Sequence, residues 1–106
     1  MRMVARVLTF SGADPAKREE GAQRIRERVL PMLQAQDGYA GYLALFDEAA
    51  GGMTAVVLWE SREAAEASEA QLAPMREKMT QEFGLTIESN QVFDAPIVEL
   101  GVPART

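Results

Sequence analysis

The sequence predicts an α+β fold of order βαββαβ, in which a four-stranded antiparallel sheet carries two helices on one face. Three observations support this ferredoxin-like fold class. Short runs rich in β-branched and aromatic residues alternate with two longer stretches whose apolar residues recur at helical spacing. Cap and turn residues separate these segments. The two middle apolar runs follow one another directly, and the paired glycines between them predict a hairpin.

The first strand is predicted from Met3 to Phe10, and the first helix begins at Asp14-Pro15. Aspartate accepts backbone N–H bonds at an N-cap, and proline at the first helical position loses only a donor that has no partner there. Pro31 lies inside the helix and predicts a kink over residues 27–31. Asp37-Gly38 is expected to end it. The predicted buried residues are Ala22, Ile25, Val29 and either Met32 or Leu33.

The hairpin strands are predicted from Tyr39 to Asp47 and from Met53 to Glu60. Ser61 is a predicted N-cap of the second helix, and Gly84 is its predicted end. Pro74 is expected to break this helix into two segments. Its predicted buried stripe consists of Ser68, Leu72, Met75, Met79 and Phe83.

The chain ends with a strand predicted within Thr86 to Asp94 and an extension of it over residues 95–100. Residues 1–100 are expected to form a single domain, and residues 101–106 a flexible tail.

The hairpin strands are apolar on both alternating faces, whereas a strand covered on one side only alternates apolar and polar residues. Because both helices cover the same side, the other face would be open to water in a monomer. Burying half a dozen large side chains, at about 1.5 to 3 kcal/mol each, stabilises by on the order of 10 kcal/mol. We therefore expect a homodimer that packs sheet to sheet.

Composition excludes several classes of function. The net charge of −5 disfavours nucleic acid and anionic membranes as partners. The 106 residues include no cysteine and no histidine, so the commonest metal ligands and the commonest general base are missing. We expect no metal and no cofactor.

The N-terminal run from Met1 to Leu8 carries Arg2 and Arg6, and no small-residue cleavage pattern follows it, which is unlike a signal peptide. No apolar stretch approaches the roughly 20 residues that span a bilayer. The sequence therefore predicts a soluble, unexported, cytoplasmic protein without a membrane partner.

Two segments carry a family resemblance: Gly38-Tyr39-Ala40-Gly41-Tyr42 at the start of the second strand, and Trp59-Glu60-Ser61 at the end of the third. They resemble the antibiotic biosynthesis monooxygenase-like family of dimeric α+β barrels. The resemblance implies a small pocket between sheet and helices in each protomer of a dimer. Some relatives oxygenate aromatic polyketides without metal or flavin, and others degrade haem.

The resemblance also implies that haem degradation is disfavoured. The haem-degrading branch relies on an asparagine in the first strand and on a tryptophan and a histidine in the second helix. This chain has Arg6 in its first strand, neither residue in its second helix, and its one tryptophan, Trp59, at the end of the third strand. Cofactor-free oxygenation stays open because an electron-rich substrate can itself reduce oxygen, leaving the protein to bind, orient and stabilise an anion.

Arg6 is the first candidate catalytic residue, since by alternation it shares an apolar face with Val4, Leu8 and Phe10. A cation on such a face is costly unless paired. If the face is turned to the helices, Arg6 is expected to bind a phenolate or carboxylate. If it is turned to a second protomer, pairing with an acid such as Glu60 or Glu99 is favoured.

Trp59 is the second candidate catalytic residue, with packing at the start of the second helix as its structural alternative. The candidate ligand-binding residues are Phe10, Tyr42, Phe46, Met75 and Met79, for which plain core packing is the alternative. The glutamates near the start of the second helix, from Glu60 to Glu69, have spacings typical of a solvated face.

We therefore predict a cofactor-independent monooxygenase-like protein that acts on or binds a small aromatic or apolar molecule. The alternative is a non-catalytic ligand-binding or dimerisation module, since fold alone does not separate the two.

Overall fold

The computed structural model of the chain describes residues 2–47 and 49–101. Four antiparallel strands form one sheet: β1 (Val4–Ser11), β2 (Tyr39–Asp47), β3 (Gly52–Trp59) and β4 (Thr86–Asp94). Their order across the sheet is β2-β3-β1-β4. With the two helical layers this is the predicted ferredoxin-like fold, and the βαββαβ prediction is confirmed.

The first helical layer, residues 15–34, is one run of four segments. A 3₁₀ turn (Pro15–Lys17) leads into α1 (Arg18–Arg24), a π-helical segment (Ile25–Val29) and α2 (Leu30–Gln34). Asp14 caps the run as predicted, since its Oδ1 accepts the N–H of Ala16 at 2.9 Å. The run ends at Gln34, earlier than the predicted Asp37-Gly38.

The kink predicted from Pro31 takes the form of the π-helical segment. The N–H of Leu30 donates to the carbonyl of Ile25, five residues earlier. Proline at position 31 has no N–H to donate, and in a regular helix its ring would clash with the carbonyl four residues before it. The wider π-helical turn relieves that clash. Ile25 and Val29 in the segment are buried against the sheet side of the layer.

The second helix, α3, runs unbroken from Arg62 to Phe83. The prediction that Pro74 divides it into two was wrong: Pro74 lies inside the helix, on an exposed position. The predicted ends are confirmed. The Ser61 side chain accepts the N–H of Ala64 at 3.1 Å, and Gly84 adopts the left-handed conformation at φ +65°.

The main core lies between the sheet and the helices. Val4, Val57 and Trp59 of the sheet pack against residues of both helical layers, and Trp59 is 1% exposed. The helical residues in this cluster are Ile25, Val29, Leu33, Ala65 and Leu72. Arg6, between Val4 and Leu8, has its side chain on this same face, because it contacts Glu69 of α3.

The opposite face of the sheet has no covering layer among the described residues. Leu43 and Leu45 of β2 are 49% and 51% exposed, and Phe93 of β4 is 48% exposed. The two apolar faces of the sheet therefore have different surroundings. One face forms the core, and the other leaves large apolar side chains in contact with solvent.

The predicted extension of the last strand is not found, since residues 95–100 have no regular secondary structure. One backbone bond, from Ala95 N–H to the Met3 carbonyl, continues the pairing beyond β4. Of the predicted tail 101–106, Gly101 is exposed and residues 102–106 lie outside the described part.

Two glycines allow a test of how closely β2 approaches α3. Gly38 (φ +83°) and Gly84 (φ +65°) are both left-handed, but an added Cβ would lie 2.6 Å from the Ala64 Cβ at Gly38 and would meet nothing within 4 Å at Gly84. We expect Gly84→Ala to lower the free energy of unfolding by about 1 kcal/mol, the cost of the left-handed conformation alone. Gly38→Ala should lower it by about 1 to 3 kcal/mol more, because overpacking is added.

Urea denaturation of both variants measures the difference. Equal destabilisation would show that the strand and the helix can separate without penalty at this point.

Candidate active site

A cavity lies between the sheet and the helices, and strand register explains where it opens. Tyr42, Val57 and Arg6 form one row across β2, β3 and β1. Two residues further along, the row consists of Ala44, Ala55 and Leu8. Next comes the row of Phe46, Met53 and Phe10. Because the alanine pair is short and its flanking rows are bulky, the sheet has a hollow facing the helices.

The cavity has a volume of about 120 Å³. Its inner end is formed by the buried side chains of Trp59, Leu33 and Leu72. Its outer end reaches the exposed residues Asp14 and Asp47, near the backbone bond that joins Ala13 N–H to the Gly51 carbonyl. The space between sheet and helices is therefore not filled by the side chains of α3.

Arg6 lines this cavity and is held by two other elements. Its Nη1 donates to Oδ1 of Asn90 in β4 at 2.7 Å, and its Nε lies 3.6 Å from Oε1 of Glu69 in α3. Nη2 lies 3.5 Å from the Ala65 carbonyl oxygen. The side chain is 12% exposed. The predicted apolar-face position is observed, and the face is turned to the helices.

Glu69 is the acid that pairs with Arg6. Glu60 and Glu99 were expected as partners only if the face were turned to a second protomer. Arg76, about two turns further along the same face of α3, binds Glu69 through both terminal nitrogens at 2.7 and 2.9 Å. These hydrogen bonds lower the pKa of the Glu69 carboxyl, the Arg6 charge adds to the effect, and burial opposes it. Glu69 is thus an ionised partner of two cations, and its assignment to a solvated face was wrong.

Trp59 forms the inner wall. Its ring meets the Tyr39 ring edge-on, with centroids 6.1 Å apart and an interplanar angle of 79°. Its indole Nε1 is buried and has no acceptor among the residues that the structure describes. A buried N–H without an acceptor costs about 1 to 3 kcal/mol, so a ligand oxygen in the cavity would stabilise this position.

The five candidate ligand-binding residues all line the cavity. Phe10 is buried beside Leu8 and Ala55, and Phe46 lies near the outer end, where the Arg18 guanidinium carbon is 5.3 Å from its ring centroid. The other three are Tyr42, Met75 and Met79. The structure brings these residues together with Arg6 and Trp59 around one space.

Sequence reasoning missed Glu69, Arg76 and Asn90 as members of this site. Glu69, Leu72 and Arg76 are spaced three and four residues apart, so they share one helical face with the buried stripe. That spacing was readable from the sequence. The contact with Asn90 was not, since it depends on the register between β1 and β4.

Among residues 2–47 and 49–101, no group of three or more His, Cys, Asp or Glu residues is placed to hold a metal ion. Over the same ranges, no helix is long and apolar enough to cross a membrane.

The family model described as antibiotic biosynthesis monooxygenase matches residues 3–73. The chain therefore belongs to this family, and the resemblance seen in the sequence is confirmed.

One curated relative matches part of this chain. The uncharacterised protein Rv2557 of Mycobacterium tuberculosis is 37% identical over 68 residues, which cover 64% of this chain and 30% of that protein. This chain thus spans less than a third of the matched curated relative.

Two solved structures share the fold at low identity. The first is SnoaB of Streptomyces nogalater, described as a cofactor-independent oxygenase, with a TM-score of 0.66, 17% identity and coverage of 98% of this chain and 100% of that chain. The second is the Streptomyces coelicolor monooxygenase ActVA-Orf6 in complex with nanaomycin D, with a TM-score of 0.67, 16% identity and coverage of 97% and 93%.

Tyr42 provides a pH test of the cavity. Burial, with a smaller contribution from Tyr39, raises the pKa of Tyr42 from 10.0 to about 12. The unfolded chain then loses this proton first, so the contribution of Tyr42 to stability is constant below pH 10, falls between pH 10 and 12, and amounts to about 2 to 3 kcal/mol in all. Urea denaturation across this range should show the decline in the native protein, and a smaller one in Tyr42→Phe. An equal decline in both would place Tyr42 in solvent.

Proposed function

We propose that the protein is a cofactor-independent monooxygenase that acts on a small aromatic molecule held between the sheet and the helices. The observation that carries the proposal is an apolar cavity lined by the largely buried guanidinium of Arg6. A cation fixed in apolar surroundings stabilises an anion far more than the same cation in water does. The family and the oxygenases that share the fold support this assignment.

The reaction balances without a cofactor. In an electron-rich hydroxylated ring, the substrate transfers electrons to O₂, and the resulting radicals join to form a C–O bond. The peroxide takes up the phenolic proton, and the C–H proton then leaves together with the terminal OH of the hydroperoxide as one water, which leaves a new C=O. One oxygen atom stays in the product and the other leaves as water, and the phenolic and ring C–H hydrogens form that water. All electrons come from the substrate, so the chain has to bind, orient and stabilise charge.

Each candidate residue has a role in this scheme. Arg6 stabilises the anionic form of the ring, and the Trp59 N–H donates to a ring oxygen. Tyr42 and Phe46 pack against the ring from the sheet, while Met75 and Met79, which are flexible and polarizable, adapt to its shape from α3. Phe10 closes the wall beside Ala55.

A non-catalytic ligand-binding module is the second candidate function. The observation that favours it is the ion pair between Arg6 and Glu69, since a paired arginine is sufficient for structure. Under this alternative the cavity still takes a ligand, but no oxygen is consumed.

We further propose that the working form is a homodimer packed through the open sheet face. Leu43, Leu45 and Phe93 on that face are each about half exposed. Water contact at several large apolar side chains is unfavourable, and a second copy presents the same surface. A cytoplasmic location is part of the same proposal and agrees with the absence of cysteine from the chain.

Oxygen uptake with a panel of hydroxylated anthrone- and quinol-type compounds tests the catalytic role. We expect Arg6→Ala to lower kcat on the order of a hundredfold, because one anion-stabilising donor is lost. Trp59→Phe should lower it about tenfold, since one hydrogen bond is lost. The control is Arg62→Ala, because Arg62 is exposed and pairs with Asp94 outside the cavity. Turnover at the native level in both cavity variants would remove these residues from the reaction.

Light scattering after size exclusion tests the dimer. Leu43→Glu places a charge on the open sheet face and should convert dimer to monomer at micromolar concentration. Ala67→Glu, on an exposed position of α3, is the matched control and should leave the mass unchanged. A native monomer, or a dimer that survives Leu43→Glu, would contradict the sheet-to-sheet arrangement.

A further inference from the structure

The charges around the cavity differ from those of the whole chain. The chain has a net charge of −5. The charged residues that line the cavity are the cations Arg6, Lys17, Arg18 and Arg76 and the carboxylates Asp14 and Asp47. Four cations against two carboxylates make the cavity wall positive inside a negative protein. An electrostatic difference of this kind attracts and retains an anion.

The two inner cations share a single carboxylate. Arg6 and Arg76 are 12% and 15% exposed at the side chain, and both contact Glu69. Two largely buried positive charges and one negative charge leave an excess of one positive charge. A guanidinium has five N–H donors, and the contacts of Arg6 use at most three of them. Donors therefore remain for an additional anion.

The carboxylates at the cavity already have hydrogen-bond donors of their own. Glu69 is held ionised by Arg76, and the chain has no histidine. At the outer end, Asp14 accepts the Ala16 N–H and Asp47 accepts the N–H of Ala49 and Ala50. A ligand that enters the cavity already ionised needs no base among these residues.

Volume limits what the enclosed part of the ligand can be. Cavities on the order of 150 Å³ hold one benzene ring. The 120 Å³ cavity here is of that size, and Ala55 forms part of its wall between the bulkier Val57 and Met53. A fused three-ring system would extend beyond it.

We infer that the ligand of this site is a single-ring aromatic oxyanion, bound in its ionised form with the charged oxygen between Arg6 and Arg76. This inference rests on the proposed function for the identity of the cavity as the working site. Trp59 lies two register positions from the Arg6 pair on β3, and its N–H donates to a second oxygen of the same ligand.

Glu69 is then a positioning residue. It joins Arg76 to Arg6 through one carboxylate, which brings both guanidinium groups to the same side of the cavity. It also cancels one of the two positive charges, so the site retains an anion without holding it as tightly as two unopposed cations would.

The test uses 4-nitrophenol, because its visible absorbance reports its own ionisation. When 4-nitrophenol binds to the native protein as purified, its apparent pKa should fall by about one unit. This shift equals tenfold tighter binding of the phenolate than of the phenol. The neutral analogue 4-nitroanisole should bind at least tenfold more weakly than the phenolate. Benzoate should displace the phenolate, and 9-anthracenecarboxylate should do so far less well.

Two variants should change the pKa of bound 4-nitrophenol in opposite directions, which a purely structural role of these residues would not produce. Glu69→Gln removes a negative charge and should lower the bound pKa further and tighten phenolate binding several-fold. Arg76→Gln should return the pKa towards that of free 4-nitrophenol, while Arg62→Gln, outside the cavity, should match the native protein. Ala55→Leu should weaken binding of both protonation states, since it fills the cavity.

Outcomes separate this inference from the proposed oxygenation. Phenolate-selective binding without oxygen uptake would refute the oxygenase and keep the oxyanion site. Oxygen uptake together with equal or tighter binding of 4-nitroanisole, or no binding of 4-nitrophenol, would overturn the oxyanion site and keep the oxygenase. Displacement by 9-anthracenecarboxylate as effective as by benzoate would overturn the single-ring limit.

Discussion

The Arg6 guanidinium, held between the sheet and α3, is the interaction on which the rest of the site depends. A charge on an apolar strand face is unfavourable unless polar partners surround it. Asn90 and Glu69 supply those partners from β4 and α3, so a single side chain ties three elements together. The same contacts leave the positive charge facing an apolar cavity, where it would act on a bound anion with little screening by water.

Small residues in the middle of the sheet leave room for the cavity. Ala44 and Ala55 lie opposite one another between rows of larger side chains, and the helices pack against these larger rows. In the first helical layer, Pro31 prevents a regular helix and the chain forms a π-helical segment instead. Ile25 and Val29 from that segment line the cavity, so a local backbone irregularity shapes the wall of the site.

The two faces of the sheet carry different sets of side chains. Alternation in β2 directs Tyr42 and Phe46 to the cavity and Leu43 and Leu45 to the open face. A change in the register of β2 by one residue would exchange these sets, so the cavity lining and the apolar outer face depend on the same strand pairing. A second copy on the outer face would cover it without touching the cavity wall.

Local periodicity and local hydrogen bonding were enough to predict the order of elements, the cap residues Asp14, Ser61 and Gly84, and the position of Arg6 on an apolar face. The predicted break at Pro74 was wrong, since packing of α3 on the sheet outweighs the local cost of proline in a helix. That Arg6 faces the helices and pairs with Glu69 depends on the tertiary fold. Residues 63 positions apart in the chain meet through strand register and helix placement, which no local pattern specifies.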